Sequence, residues 1–222
     1  MTQSWFITGT DTGVGKTRVS AALLAALARR GRRAVGMKPV ASGCMQTPGG
    51  LVSEDAQILR AAGNVAIDEI ALNPYAFASG TAPHLAAAAA RVHIDIAVIE
   101  AHYRRLAGLA EHVVVEGVGG WLVPINARET MADVVRALDL PVILVVDPRL
   151  GSFNHALLSI QAIAASGCRL LAWVANNVQG SVPQGYLAGL SARLPVPLLA
   201  ELPYSKESNT PAECFDLAQL GV

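Results

Sequence analysis

Between Gly9 and Thr17 the chain reads Gly9-Thr10-Asp11-Thr12-Gly13-Val14-Gly15-Lys16-Thr17, a spacing that can hold a chain of phosphates. Small residues in a turn let consecutive backbone N–H groups point at one anion, and a helix opening at the end of the turn adds its partial positive charge. A lysine in the position of Lys16 reaches the terminal phosphates, and the Thr17 hydroxyl is available to Mg²⁺. The usual pattern has four residues between its first glycine and Gly-Lys-Thr. Here Thr10 stands at that glycine position and five residues separate Gly9 from Gly15, so the segment is a variant P-loop. The apolar Trp5-Phe6-Ile7 before it and an amphipathic stretch after it supply the strand and helix such a loop requires.

Other polar residues stand where apolar runs end. Glu116 follows Val113-Val114-Val115 and precedes Gly117, which puts a carboxylate at a strand tip like the acidic metal-binding end of a P-loop NTPase. Asp55, after Ser53-Glu54, has two readings. It joins Thr17, Glu116 and phosphate oxygens around Mg²⁺, or it is a helix-start acid facing the dipole. Lys38 precedes Pro39 and so is biased towards an extended conformation that aims it beyond the strand. As an exposed strand-end residue its loss would cost under about 0.5 kcal/mol of stability. As a stabiliser of transition-state charge its loss would add roughly 3 to 4 kcal/mol to the barrier. Ser42-Gly43 offers a hydroxyl and N–H groups, or only a turn. Asn176 and Asn177 close Ala172-Trp173-Val174-Ala175. A carboxamide there could pair with adenine and favour ATP over GTP, or merely begin a turn.

His84, His93, His102, His112 and His155 show neither His-Glu-x-x-His spacing nor cysteine partners, so no zinc site is expected. A Gly-x-Ser-x-Gly elbow is also missing.

The elements that must carry these residues follow from the pattern of apolar runs. Strands are expected near 4–8, 34–38, 112–116, 141–146, 170–176 and 196–201. Helices are expected near 15–30, 54–62, 84–91, 94–110, 131–138, 151–166, 184–193 and 211–220. Their alternation predicts an α/β fold, a doubly wound, mostly parallel β-sheet flanked by helices, with its ligand crevice at the carboxyl ends of the strands. The P-loop, Lys38, Glu116, Asp147-Pro148, Asn176-Asn177 and Pro203-Tyr204 would then meet along one sheet edge.

A chain of 222 residues, 52% hydrophobic and 15% charged, suits a single domain over 1–222 with a buried sheet. Net charge is zero and no basic stripe tracks a nucleic acid; Arg29, Arg30, Arg32 and Arg33 sit where a helix C-terminus favours positive charge. Cys44, Cys168 and Cys214 are odd in number and unpaired in spacing, which favours a reducing compartment. No basic region followed by a long apolar run opens the chain, and Val142–Val146 is too short to span a bilayer. A cytoplasmic protein acting on small molecules is the expectation, with neither membrane nor nucleic acid as partner.

Five ordered motifs, spread over essentially the whole chain, resemble the dethiobiotin synthetase family of P-loop NTPases. They are Gly9-Thr10-Asp11-Thr12 with Val14-Gly15-Lys16-Thr17, Lys38-Pro39-Val40-Ala41-Ser42-Gly43, Asn73-Pro74-Tyr75, Val115-Glu116-Gly117 with Gly119-Gly120-Trp121, and Leu150-Gly151 with Asn154-His155. The second is the discriminating one. The resemblance implies that CO₂ is joined to 7,8-diaminopelargonate, that ATP phosphorylates the carbamate, and that the second amine closes a five-membered urea with release of ADP and phosphate. It implies a catalytic set of Lys16, Lys38 and Thr12, with Mg²⁺ on Thr17, Asp55 and Glu116. Nucleotide contacts would come from Gly13, Val14, Gly15, Lys16, Thr17, Arg18, Asp55, Glu116, Gly117, Val118, Gly119, Asn176, Asn177, Pro203, Tyr204 and Ser205. Thr12, Lys38 and Ser42 would hold the diamine. In a homodimer, Gly151, Ser152, Asn154 and Tyr186 of one subunit would reach the other's substrate carboxylate.

Two positions depart from the family pattern. Gly13 stands where a familiar member has Glu, and Asn177 where Asp is often found. Another amide- or urea-forming P-loop ligase, such as a cobyrinate amidating enzyme, is the nearest different reading. A small-molecule kinase fits the loop spacing less well, and partition-type ATPase switches carry an early loop lysine where this chain has Thr10.

Overall fold

The computed structural model describes residues 2–205 and 212–222. Along the chain come β1 (Gln3–Gly9), α1 (Lys16–Arg29), β2 (Ala34–Met37), β3 (Val40–Ser42), β4 (Met45–Thr47), β5 (Gly50–Val52), α2 (Glu54–Ala62), α3 (Glu69–Leu72) and β6 (Tyr75–Phe77). There follow α4 (Pro83–Ala90), α5 (Ile96–Ala107), β7 (His112–Gly120), α6 (Met131–Leu138), β8 (Val142–Val146), α7 (Ser152–Ala165), β9 (Leu170–Asn176), α8 (Tyr186–Ser191) and β10 (Leu198–Leu202).

Six strands form one parallel sheet in the order β10-β9-β8-β1-β7-β2. Both faces are covered, so β8 reads Val-Ile-Leu-Val-Val without alternation and every one of its residues is buried. Alternation survives as a choice of layer. Trp5, Ile7 and Val114 pack with Val19, Leu23, Leu24 and Leu27 of α1, whereas Phe6, Val113 and Val115 face Ile99 and Leu106 of α5 and Val134 and Val135 of α6. The expected doubly wound α/β sheet is therefore present, with helices on both faces.

Three local differences have physical causes. Instead of a helix over 211–220, the chain forms two 3₁₀ turns, Ala212–Cys214 and Leu217–Leu220; residue 211 lies outside the described residues. Ala212, Phe215, Leu217 and Leu220 are all drawn into the α1-side core, and Asp216 N–H bonds to the Leu199 carbonyl, a spread of anchors that one regular helix cannot supply. The parallel pair β3–β6 and the antiparallel pair β4–β5 escaped the reading because three-residue strands are too short to show a period. Finally, β7 continues to Gly120, past the expected end at 116, because its glycines let it follow the shifted register against β1.

Candidate active site

The variant P-loop leaves β1 at the centre of the sheet. Gly13 and Gly15 have φ of 79° and 82°, left-handed values that disfavour side chains. Gly15 caps α1, whose first turn contains no acidic residue and receives no side-chain cap, so its N–H groups are left for an anion. Lys16 is buried, and its Nζ donates to the Asp11 carbonyl at 3.1 Å. Burial, followed by the neighbouring charge of Lys38, lowers its pKa to about 8 against the opposing pull of Glu116, Asp55 and Asp11.

Beside the loop, three chain segments meet around Lys38. Its Nζ lies 2.6 Å from Glu116 Oε1, 2.7 Å from Asp55 Oδ2 and 3.2 Å from the Gly117 carbonyl. Burial pulls the Lys38 pKa down, but the two carboxylates outweigh it, so the net shift is upward and the ammonium stays charged. The same ammonium and the Thr17 hydroxyl lower the Asp55 pKa although burial opposes them. Lys38 is 3% exposed, which overturns the reading as an exposed strand-end residue. Asn73 also explains the Asn73-Pro74-Tyr75 motif: its Nδ2 donates to the Lys38 carbonyl at 2.6 Å while Lys38 N–H bonds to the Leu72 carbonyl at 2.9 Å.

Asp55 meets both of its readings. Ser53 caps α2, accepting from Ala56 N–H at 3.3 Å, and Asp55 lies in the first turn with its side chain turned to Thr17 and Lys38. The Thr17 Oγ1 lies 2.8 Å from both Asp55 Oδ1 and Glu116 Oε1. One hydroxyl carries one proton, so it cannot fully satisfy both carboxylates. Glu116 is 0% exposed, and among the described residues its Oε2 has no hydrogen-bond partner. A hydroxyl, two carboxylates and an orphaned buried oxygen form a hard-oxygen set that fits a divalent cation completed by phosphate or water oxygens. Among the described residues no cluster of three histidine, cysteine, aspartate or glutamate side chains forms a metal site.

A cavity of about 660 Å³ opens on this centre. Thr12, Gly13, Gly15, Lys16, Thr17, Lys38, Ser42, Asp55, Glu116, Val118 and Gly119 line it, so the structure brings these expected site residues together. Gly80, Thr81, Ala82, Pro83 and Val123 complete the wall. Only a loop signal marks the first four of these in the sequence: Ser79-Gly80-Thr81-Ala82-Pro83 reads as a turn leading into a helix with proline in its first turn.

Residues 3–212 match a family model described as an AAA domain. The chain is 46% identical over 211 residues to the ATP-dependent dethiobiotin synthetase BioD of Xanthomonas campestris pv. campestris, covering 94% of each chain. It is likewise 46% identical over 211 residues to the protein of that name from Xylella fastidiosa, covering 94% of this chain and 93% of the relative. The chain belongs to the dethiobiotin synthetase family. Solved structures of more distant sequence share the fold. The septum site-determining protein MinD from Pyrococcus horikoshii, complexed with Mg-ADP, has a TM-score of 0.61 at 16% identity and covers 100% of this chain and 99% of its own. The signal recognition particle receptor FtsY from Elizabethkingia anophelis has a TM-score of 0.56 at 17% identity and covers 99% and 64%.

Other residues implied by the dethiobiotin synthetase resemblance lie away from the cavity. Gly151, Ser152, Asn154 and Tyr186 do not line it. Gly151 caps α7 in a left-handed conformation, Ser152 is buried, Asn154 is exposed, and the Tyr186 ring packs edge-on against Phe153 at 5.1 Å. Asn176, Asn177, Pro203, Tyr204 and Ser205 gather at the tips of β9 and β10 on the other side of the loop. There the Asn177 Oδ1 accepts from Gly180 N–H at 2.9 Å, and the Tyr204 ring lies beside Gly180. Asn176, expected at the nucleotide base, is held between the phosphate loop and α1. It is 0% exposed, its Nδ2 donates to the Val14 carbonyl at 2.7 Å, and its Oδ1 accepts from Arg18 Nη1 at 2.8 Å. Both polar atoms of its carboxamide thus engage protein partners.

Proposed function

We propose that this chain is an ATP- and Mg²⁺-dependent ligase that builds the cyclic urea of dethiobiotin from 7,8-diaminopelargonate and CO₂. The observation that carries the reading is the buried Lys38, held charged between Glu116 and Asp55 at the wall of a cavity floored by the phosphate loop. CO₂ adds to one amine of the diamine with loss of a proton. A carbamate oxygen then attacks the γ-phosphorus of ATP, ADP departs, and a carbamic-phosphoric anhydride results. The second amine attacks the anhydride carbonyl carbon, loses a proton and expels inorganic phosphate as the ring closes.

No side-chain nucleophile enters these steps; positioning and charge neutralisation suffice for phosphoryl transfer. Lys16 and the first turn of α1 bind the phosphates. Lys38 faces the charge that develops on the carbamate, and Thr12 and Ser42 orient the diamine end from the cavity wall. Thr17, Asp55 and Glu116 would hold Mg²⁺, which when bound neutralises phosphate charge. On the base side, Asn177 and Pro203–Ser205 are the candidate contacts.

A homodimer completes the site in this reading. Leu150 is 82% and Leu158 is 55% exposed, an apolar surface at the start and along the outer face of α7 that suits burial against a second copy. Gly151, Ser152, Asn154 and Tyr186 would then serve the partner's substrate carboxylate. Three free cysteines suit a cytoplasmic setting. The purified protein, incubated with Mg-ATP, bicarbonate and 7,8-diaminopelargonate, should release phosphate only when the diamine is present and yield the mass of the cyclic urea. Nucleotide binding without diamine-dependent product would sink the reading.

A further inference from the structure

The carbonyl of Val14 lies between two left-handed glycines, Gly13 and Gly15, where the backbone has an unusually free choice of orientation. In a planar trans peptide the Gly15 N–H points opposite to the Val14 C=O. The carbonyl's direction therefore decides whether that N–H faces a bound phosphate or whether a carbonyl dipole repels it. In this structure the carbonyl is captured from outside the cradle by Asn176 Nδ2 at 2.7 Å. Among the described residues, the N–H groups of Gly13, Val14 and Gly15 donate to no backbone carbonyl.

Asn176 is itself held. Arg18 Nη1 donates to its Oδ1 at 2.8 Å, and Arg18 Nη2 donates to the Pro203 carbonyl at 2.6 Å. Rotating the carboxamide end for end would set its oxygen against the Val14 carbonyl and its NH₂ against the guanidinium, losing both bonds. The fit is close: a Cβ on Gly15 would fall 2.1 Å from Asn176 Nδ2.

We propose that Asn176, oriented by Arg18, is a positioning residue that locks the Val14–Gly15 peptide with its N–H towards the phosphates. The cradle is thereby preformed before nucleotide arrives. This rests on the phosphate-loop part of the reading above and not on the identity of the diamine.

Magnesium pyrophosphate, which has no base, is the discriminating probe, alongside Mg-ADP, with affinities measured by titration calorimetry. Asn176→Ala and Arg18→Met should each weaken pyrophosphate and ADP alike, by about tenfold for loss of a bond to a charged or locked group. Asn176→Asp, which offers only acceptors to the Val14 carbonyl, should weaken them further, and Arg18→Lys should recover part of the loss. Val135→Ala, a core change on the opposite face of the sheet, should lower the melting temperature yet leave pyrophosphate affinity unchanged. Should Asn176→Ala fail to fold, the Arg18 pair carries the test. Full pyrophosphate affinity in folded variants that lose only ADP would assign Asn176 to the base and overturn the lock. Pyrophosphate binding that tracks the lock in a protein making no cyclic urea would refute the ligase reading alone.

Discussion

Lys38 answers two demands with one ammonium. It balances Glu116 and Asp55 in the resting protein and, in the proposed reaction, would also confront new negative charge. Breaking a buried ion pair by removing one partner costs about 3 kcal/mol or more, because the remaining charge is left without compensation. Lys38→Ala should therefore lower the denaturation midpoint measurably and slow turnover about a hundredfold or more, the scale of a lost electrostatic stabiliser. Mg²⁺ should restore part of the lost stability, since the stranded carboxylates then attract it more strongly. Steady-state assays beside chemical denaturation test both parts, and turnover at the parent rate would remove Lys38 from the chemistry. The sequence brought Lys38 and Glu116 to one sheet edge and offered Asp55 beside Glu116 on one Mg²⁺. It did not reveal that the Lys38 ammonium bridges the two carboxylates, because that contact depends on three backbones converging from distant parts of the chain.

At the scale of elements, the segment Leu72-Asn73-Pro74 clamps the end of β2, and through it the root of Lys38. Asn73 is buried, so Asn73→Ala leaves the Lys38 carbonyl without its donor and should cost about 1 to 3 kcal/mol. Its turnover should fall less than that of Lys38→Ala, and an equal fall would show that the clamp does more than aim the lysine. The glycine at the head of α1 is less forgiving. Gly15→Ala combines a left-handed backbone with a 2.1 Å clash, so it should abolish measurable ADP binding in calorimetry; retained affinity would mean that the loop rearranges freely. Long elements were legible because apolar periodicity and turn residues bracket them. α2 and α6 begin and end where the pattern placed them, at Glu54–Ala62 and Met131–Leu138. The short pairs β3–β6 and β4–β5 were not, since tertiary contact rather than local pattern creates them, and the turn at Gly80–Pro83 shows as a loop without showing that it walls the cavity.

For the whole molecule, acid should loosen the sheet at the end opposite the site. His112 at the start of β7 stacks on Trp5 at 5.4 Å, and its buried Nδ1 has no partner among the described residues. Burial lowers its pKa, helped by Arg32 and opposed by Glu111 and the backbone bond with Gln3. A histidine that resists protonation when folded binds protons more readily when unfolded. Its stabilising contribution is therefore complete above its ordinary value of 6.5 and is lost as pH falls below that value towards the lower folded one. Denaturation midpoints measured from neutral pH downward should decline, and His112→Phe should flatten the part of the slope due to this group; an unchanged slope would relieve His112 of the effect. Because one sheet carries both layers, tryptophan fluorescence and far-ultraviolet dichroism should report a single coincident transition for the 1–222 unit, whereas separate transitions would divide it.

The position of β1 also sets a timetable for synthesis. Gln3 lies opposite His112 and Phe6 opposite Val142, so β1 leaves the ribosome well before either of its sheet neighbours does. Until then Trp5, Phe6 and Ile7 have no sheet to enter, and a nascent chain stalled before β7 offers that sticky edge to chaperones or to its own kind. Such distant pairing makes for slow acquisition of structure, and it leaves the phosphate loop, made before β7 and β8, without a working shape until both strands exist.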